Sequence, residues 1–271
     1  MTENEAGTTG HMVNSARVPL TDTSAVAFRG RVLPEFFRIT LNHPYTVRAT
    51  LSETGSSAEF SIAIQESQIH IDCTTGGSWD LWGLHRRALD LTQTIIDLIC
   101  FARGMHLAVL LDTAVQDGIE HPMMSSSPDL AEFCTSYSID NGFDEVLSLV
   151  VKEAPFFVAL NDLNAALANY HLSPTNFARV VEAIRVMIAG EDAATPEAWR
   201  RMRTALNLDM EYLKLITDTS APKRHGNHPR IEADVGAQIS ERAWRVMDRF
   251  IAYRRGGNRD LPESEYPFLQ G

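Results

Sequence analysis

The residues in this chain best suited to chemistry stand together at 220–229, in the run SAPKRHGNHP, with Arg230 directly after it. Histidine exchanges protons near neutral pH, and Arg or Lys beside it holds phosphate through charge-assisted hydrogen bonds. Arg224, His225 and His228 could therefore grip a phosphodiester and shuttle a proton. On RNA the 2′-hydroxyl would supply the nucleophile. The bland alternative is a polar turn between helices, for which Pro, Gly and Asn are the usual residues. His225 and His228, three apart, could also be metal ligands, but two ligands do not make a site, so no metal is assigned.

A second polar set, Arg179, Glu182 and Arg185, repeats every three residues within one predicted helix. Neighbours at that spacing pair for roughly 0.2–0.5 kcal/mol when exposed. As a solvated ladder the set is ordinary; it gains chemistry only if its face turns toward the Arg/His run. Other signatures are missing. No Gly-rich phosphate loop, no Gly-x-Ser-x-Gly elbow and no His-Glu-x-x-His helix occurs, so no cofactor is implied. His121, between Glu120 and Pro122, reads as a solvated loop residue. Cys73, Cys100 and Cys134 lie far apart, which argues against a disulfide framework and a zinc ribbon and makes the cytoplasm the default location.

Charge is unevenly placed along the chain. The formal net charge is −11, but residues 1–172 carry 9 Lys+Arg against 21 Asp+Glu, whereas residues 173–271 carry 15 against 14. The acidic front part is a poor general surface for nucleic acid, because phosphate contacts dominate that affinity. No apolar run reaches the roughly 18 residues of a membrane-spanning helix. Residues 95–115 are broken by Asp97, Arg103, Gly104, His106 and Asp112, so no membrane partner is expected. Residues 1–16 have almost nothing to bury and are expected to be disordered.

The elements that must position these residues change period along the chain. Residues 45–51, 59–64 and 68–73 alternate apolar and polar, 25–31 do so more weakly, and 107–111 is a short apolar run; all read as strands. A helix is expected from about 78 to 103, stopped by Gly104, with its apolar centre at 91–101 largely buried. Residues 117–127 read as a loop. From 141 onward the spacing is helical: a segment to Pro155, then 156–170, then a helix with Ser173 as N-cap and Pro174 behind it. Thr195-Pro196 repeats that start, Asp209 caps a short helix, and a last helix runs from about 232 to 255. The expected fold class is α+β: a small strand-rich domain over 17–140, then an all-α helical bundle over 141–271.

The run FARVVEAIR at 177–185, a further bundle helix, and then RHG at 224–226 before a closing helix resemble HEPN domains. The resemblance covers roughly residues 155–256. It implies a helical bundle of the kind found in bacterial toxins and phage-defence proteins, often a metal-independent ribonuclease. Such bundles commonly pair, which brings two copies of the motif together across a two-fold axis, so RNA and a second copy of the chain are the implied partners. Arg224 would hold the scissile phosphate, His225 or His228 would act as acid and base, and Arg179 and Glu182 would match a polar pair on an earlier helix. The family separates its Arg and His by four to six residues. Here three residues separate Arg224 from His228, and His225 would need its Arg at Asp218, Thr219 or Ser220. Two other classes stand beside this one: a non-catalytic scaffold that dimerises through the bundle, and a ligand pocket in the front domain.

Overall fold

The computed structural model describes residues 25–50, 55–123, 130, 132–135, 142–168, 172–224, 231 and 233–271; the tail at 1–16 lies outside them. The chain is α+β and divides into two compact units, residues 1–124 and 125–271. The division falls earlier than residue 140, where the period change had suggested it.

The first unit is one antiparallel sheet with a helix on one face. Its elements are β1 (Ala25–Leu33), β2 (Tyr45–Thr50), β3 (Ser57–Gln65), β4 (Gln68–Gly76), α1 (Leu81–Arg103), β5 (Ala108–Gln116) and β6 (Ile119–Pro122). Strand order is β2-β3-β4-β1-β5-β6, so the first strand is central, between β4 and β5. Alternation decides which face is buried: Phe28, Phe60, Ile62 and Ile71 point inward and pack with Leu84 and Ile96 of α1. Two tight turns hold the register. Glu66 and Ser67 turn with φ of 49° and 65°, the geometry of a type I′ hairpin. Ser67 is fully buried; its Oγ donates to the Phe37 carbonyl at 2.6 Å and accepts from the Ile39 amide at 3.0 Å. Asp117 and Gly118 turn likewise, with φ of 52° and 77°. They send the chain back as β6, so His121 lies on a strand where a loop was expected.

Helix α1 begins later than residue 78, because Asp80 supplies the cap: its Oδ1 accepts from the Gly83 amide at 2.7 Å. Gly104 stops it in the left-handed region. Its second half is not enclosed as expected. One side packs on the sheet through Leu84, Ala88, Thr92, Ile96 and Cys100, while Leu98 and Phe101 point outward at 65% and 88% exposure. A single sheet covers one stripe of a helix, whatever the composition of the other.

The second unit is the helical bundle: α2 (Phe143–Lys152), α3 (Ala154–Ala168), α4 (Ser173–Ala189), α5 (Thr195–Leu206), α6 (Met210–Arg224) and α7 (Ala233–Arg255). Its core gathers Phe156, Phe177, Val181, Ile184, Met202 and Phe250, with Phe156 and Phe250 edge-to-face at 5.0 Å. Helix α4 is central and packs against α3, α5, α6 and α7. Its N-cap is Leu172 rather than Ser173, and that of α5 is Ala194, so each Ser/Thr-Pro pair occupies the first helical turn instead. Asp209 does cap α6, its Oδ1 accepting from the Tyr212 amide at 2.7 Å. That helix is 15 residues long, with Pro222 inside its last turn, so it reaches the Arg/His run. Among the described residues, no helix is long and apolar enough to cross a membrane.

Two features of the first unit give measurable expectations. The β1 to β5 pairing shifts register between Arg29 and Gly30, and a Cβ at Gly30 would lie 1.9 Å from the Leu110 carbonyl oxygen. Gly30→Ala should therefore cost roughly 1–3 kcal/mol, seen as a lower urea midpoint at unchanged slope. His85, buried on α1 between Phe28 and Trp82, donates Nε2–H to the Leu111 carbonyl at 2.7 Å, and burial lowers its pKa. The folded ring stays neutral where the unfolded one, at about 6.5, takes up a proton. Its contribution is present above the unfolded pKa and lost as pH falls through and below it. Melting temperature should drop between about pH 7 and pH 5, and His85→Leu should flatten that drop.

Candidate functional site

Arg224 is the last residue of α6 and Ala233 the first of α7. His225 and His228 lie outside the described residues, as do the side chains of Lys223 and Arg224. The exit of the connection is fixed by Ile231, which rests against Ser173, Pro174 and Phe177 of α4 and Gly236 and Ile239 of α7, around a hollow of about 10 Å³. That is room for one water and for no organic ligand. The connection therefore ends on the first turn of α4, the helix that carries the second polar set.

Two members of that set reach off α4 to its neighbours. Arg179 reaches across to α3, its Nε 3.2 Å from Asp162 Oδ2. Burial raises the Asp162 pKa and the Arg179 charge opposes the rise. Arg185 turns to the opposite flank, its guanidinium over the Trp199 ring of α5 at 5.3 Å, with Nε buried and without a hydrogen-bond partner. Glu182 is half-buried between those flanks. A helix rises about 1.5 Å per residue, so Arg179 stands about 9 Å and Arg185 about 18 Å along α4 from Ser173. The residues at the alternative register are bonded within α6. Where His225 would need its Arg, Ser220 is fully buried with its hydroxyl on the Thr217 carbonyl, and Thr219 bonds the Leu215 carbonyl.

A different group of polar residues does converge, and its focus is Arg249. Only 6% exposed, its guanidinium donates to the Leu206 carbonyl at 2.7 Å, to the Asn207 carbonyl at 2.8 Å and to that of Pro267. Burial lowers its pKa, yet an arginine stays charged in a protein and must be met by oxygens. The other arginines of α7 are engaged in the same unit. Arg242 lies over the Tyr212 ring and donates to the Tyr212 carbonyl at 3.1 Å; Arg245 covers the Phe133 ring at 3.8 Å and bonds Glu241. Arg254 pairs with Glu153, and Arg255 with Glu145 at 2.8 Å.

Around Arg249 the chain's last residues dock back onto the corner between α5 and α6. Asn207, left-handed at φ 52°, donates its side-chain amide to the Leu261 and Tyr266 carbonyls, while the Leu269 amide donates to the Asn207 carbonyl at 2.9 Å. The Asp209 amide in turn reaches the Leu269 carbonyl at 3.0 Å. Reading the sequence only as far as the Gly256-Gly257 stop missed this clasp. The available signal was the run of Leu261, Tyr266, Phe268 and Leu269 beyond it, too apolar for a free tail. Arg249→Met should leave the carbonyls of Leu206, Asn207 and Pro267 without that donor. Asn207 keeps the Leu269 amide, so with each of the other two buried groups costing about 1–3 kcal/mol, the loss should be at least ~2 kcal/mol by urea denaturation. Arg249→Lys should recover only part, because an ammonium cannot reproduce the planar fork.

No curated protein and no solved structure matches the chain. Residues 26–123 match the N-terminal domain, and residues 143–255 the C-terminal domain, of a domain of unknown function, DUF8168. The chain thus carries, in order, matches to both domains of DUF8168.

Proposed function

We propose that this protein is a non-catalytic helical scaffold that works as a homodimer, paired through its C-terminal bundle, in the cytoplasm. One observation supports it: in the second unit the arginines of α7 are engaged internally while a group of apolar side chains on α2 and α3 is exposed. The arginines of α7, which on composition alone could have held phosphate, are engaged by carboxylates, rings and main-chain carbonyls of their own unit. Meanwhile Phe143, Leu147 and Val151 of α2 and Phe157 and Val158 of α3 face solvent. Apolar side chains clustered on the outside of a bundle commonly mark a contact surface.

A second reading keeps the HEPN resemblance. Here the bundle is a metal-independent ribonuclease of a defence or stress system, with Arg224 on the scissile phosphate, His225 or His228 as acid and base, and Arg179 and Glu182 in support. What favours it is the arrival of Ile231 on the first turn of α4, the helix of Arg179 and Glu182.

Incubating the protein with single- and double-stranded RNA in EDTA, alongside light scattering, separates the two. The scaffold reading expects no turnover and a mass near twice the 30.2 kDa of one chain. Turnover that survives EDTA and falls about 10² to 10⁴-fold in both Arg224→Ala and His225→Ala, with melting curves unchanged, would replace it with the nuclease.

A further inference from the structure

Helix α2 carries an apolar row and a charged row side by side on its exposed surface. Phe143, Leu147 and Val151, four residues apart, are all outward, Val151 at 71% exposure. Asp144, Ser148 and Lys152, the row beside them, are exposed too. The row on its other side, Val146 and Val150, is buried in the bundle. The apolar row is thus a seam that continues the buried face past the part the bundle covers, and Phe157 and Val158 of α3 add to the exposed apolar surface.

We infer that a second copy of this chain covers this seam, α2 lying antiparallel on α2 about a two-fold axis beside Leu147. The inference rests on the pairing proposed above and names its face and direction. Two copies related by a two-fold axis present the same patch to each other, residue i meeting j and j meeting i. The charged row chooses the direction. It is acidic at one end and basic at the other, with Ser148 between them. Antiparallel packing puts Asp144 of each copy opposite Lys152 of the other and Phe143 opposite Val151. Parallel packing about an axis along the helices would put the two charged rows on opposite sides of the seam, so along a contact about 12 Å long neither row would meet its copy. Aligned helix dipoles also favour the antiparallel choice.

Sedimentation equilibrium on the full chain at low salt tests it. Asp144→Lys and Lys152→Asp, each alone, place like charges opposite at both ends and are expected to weaken association about tenfold or more. Mixed in equal amounts, the two variants regain opposite charges at both ends, and association should return to the wild-type level. Leu147→Asp, beside the axis, should give a monomer. All three positions are exposed, so far-UV circular dichroism should stay unchanged. A wild-type dimer whose affinity neither charge variant alters, or which survives Leu147→Asp, overturns the α2 interface and leaves pairing through the bundle standing. A wild-type chain that stays at 30.2 kDa at every concentration overturns both.

Discussion

A guanidinium removed from water cannot shed its proton, so the structure around Arg249 is arranged to supply oxygens. They come from the carbonyls of Leu206 and Asn207, where α5 ends, and from Pro267 in the closing segment. Carbonyls at a helix end have no intrahelical partner, which makes the end of α5 a natural acceptor. The consequence spreads outward from that contact. Asn207 must turn left-handed to expose its carbonyl, its side chain then catches the Leu261 and Tyr266 carbonyls, and two residues later Asp209 caps α6. One charge thus joins α7, the corner between α5 and α6, and the last residues of the chain.

The first unit solves the same problem of burying polar groups by backbone pairing instead of charge. Its central strand is first in sequence, so β1 acquires partners only after β4 and β5 exist. Such non-local pairing carries a loop-closure cost and needs a strictly held register. Gly30 at the register shift, the buried hydroxyl of Ser67 and the neutral ring of His85 on the Leu111 carbonyl are the points that hold it. Ser67 holds the β3–β4 turn to the main chain of Phe37 and Ile39, and His85 holds α1 to β5. Among the described residues the sheet covers one side of α1, so Leu98 and Phe101 on its other side remain outside.

Short-range pattern was legible in the sequence, and partner choice was not. Alternation in β3 and β4 and the caps at Asp209 and Gly104 were readable because their causes lie within a few residues. β6 was readable in principle from Asp117-Gly118, a strong hairpin signal, but Pro122 and the serines after it pulled the reading toward a loop. The Ser173-Pro174 and Thr195-Pro196 starts were placed one residue out, since both residues of each pair lie inside the helix. The candidate site divides the same way. The composition of 220–229 is plain in the sequence, but nothing there says that Arg179 pairs with Asp162 or that Arg185 lies on Trp199. Arg249 was the hardest to see, because its acceptors are main-chain carbonyls as far as 43 residues away, which any residue type could provide.

The two functional readings also differ in where they need a dimer to form. A ribonuclease built from two copies of an Arg/His motif needs those motifs near the two-fold axis. In this chain the motif follows α6 and precedes the first turn of α7. Helix α2 is held at the other end of α7, through Glu145 on Arg255, with Glu153 on Arg254 just beyond it. Between those ends lie the 23 residues of α7, about 34 Å at helical rise. Pairing through α2 would therefore set the contact about that far along α7 from its first turn. The two readings therefore rest on different parts of the bundle: the scaffold reading on the seam at one end of α7, and the nuclease reading on the run that leads into its other end.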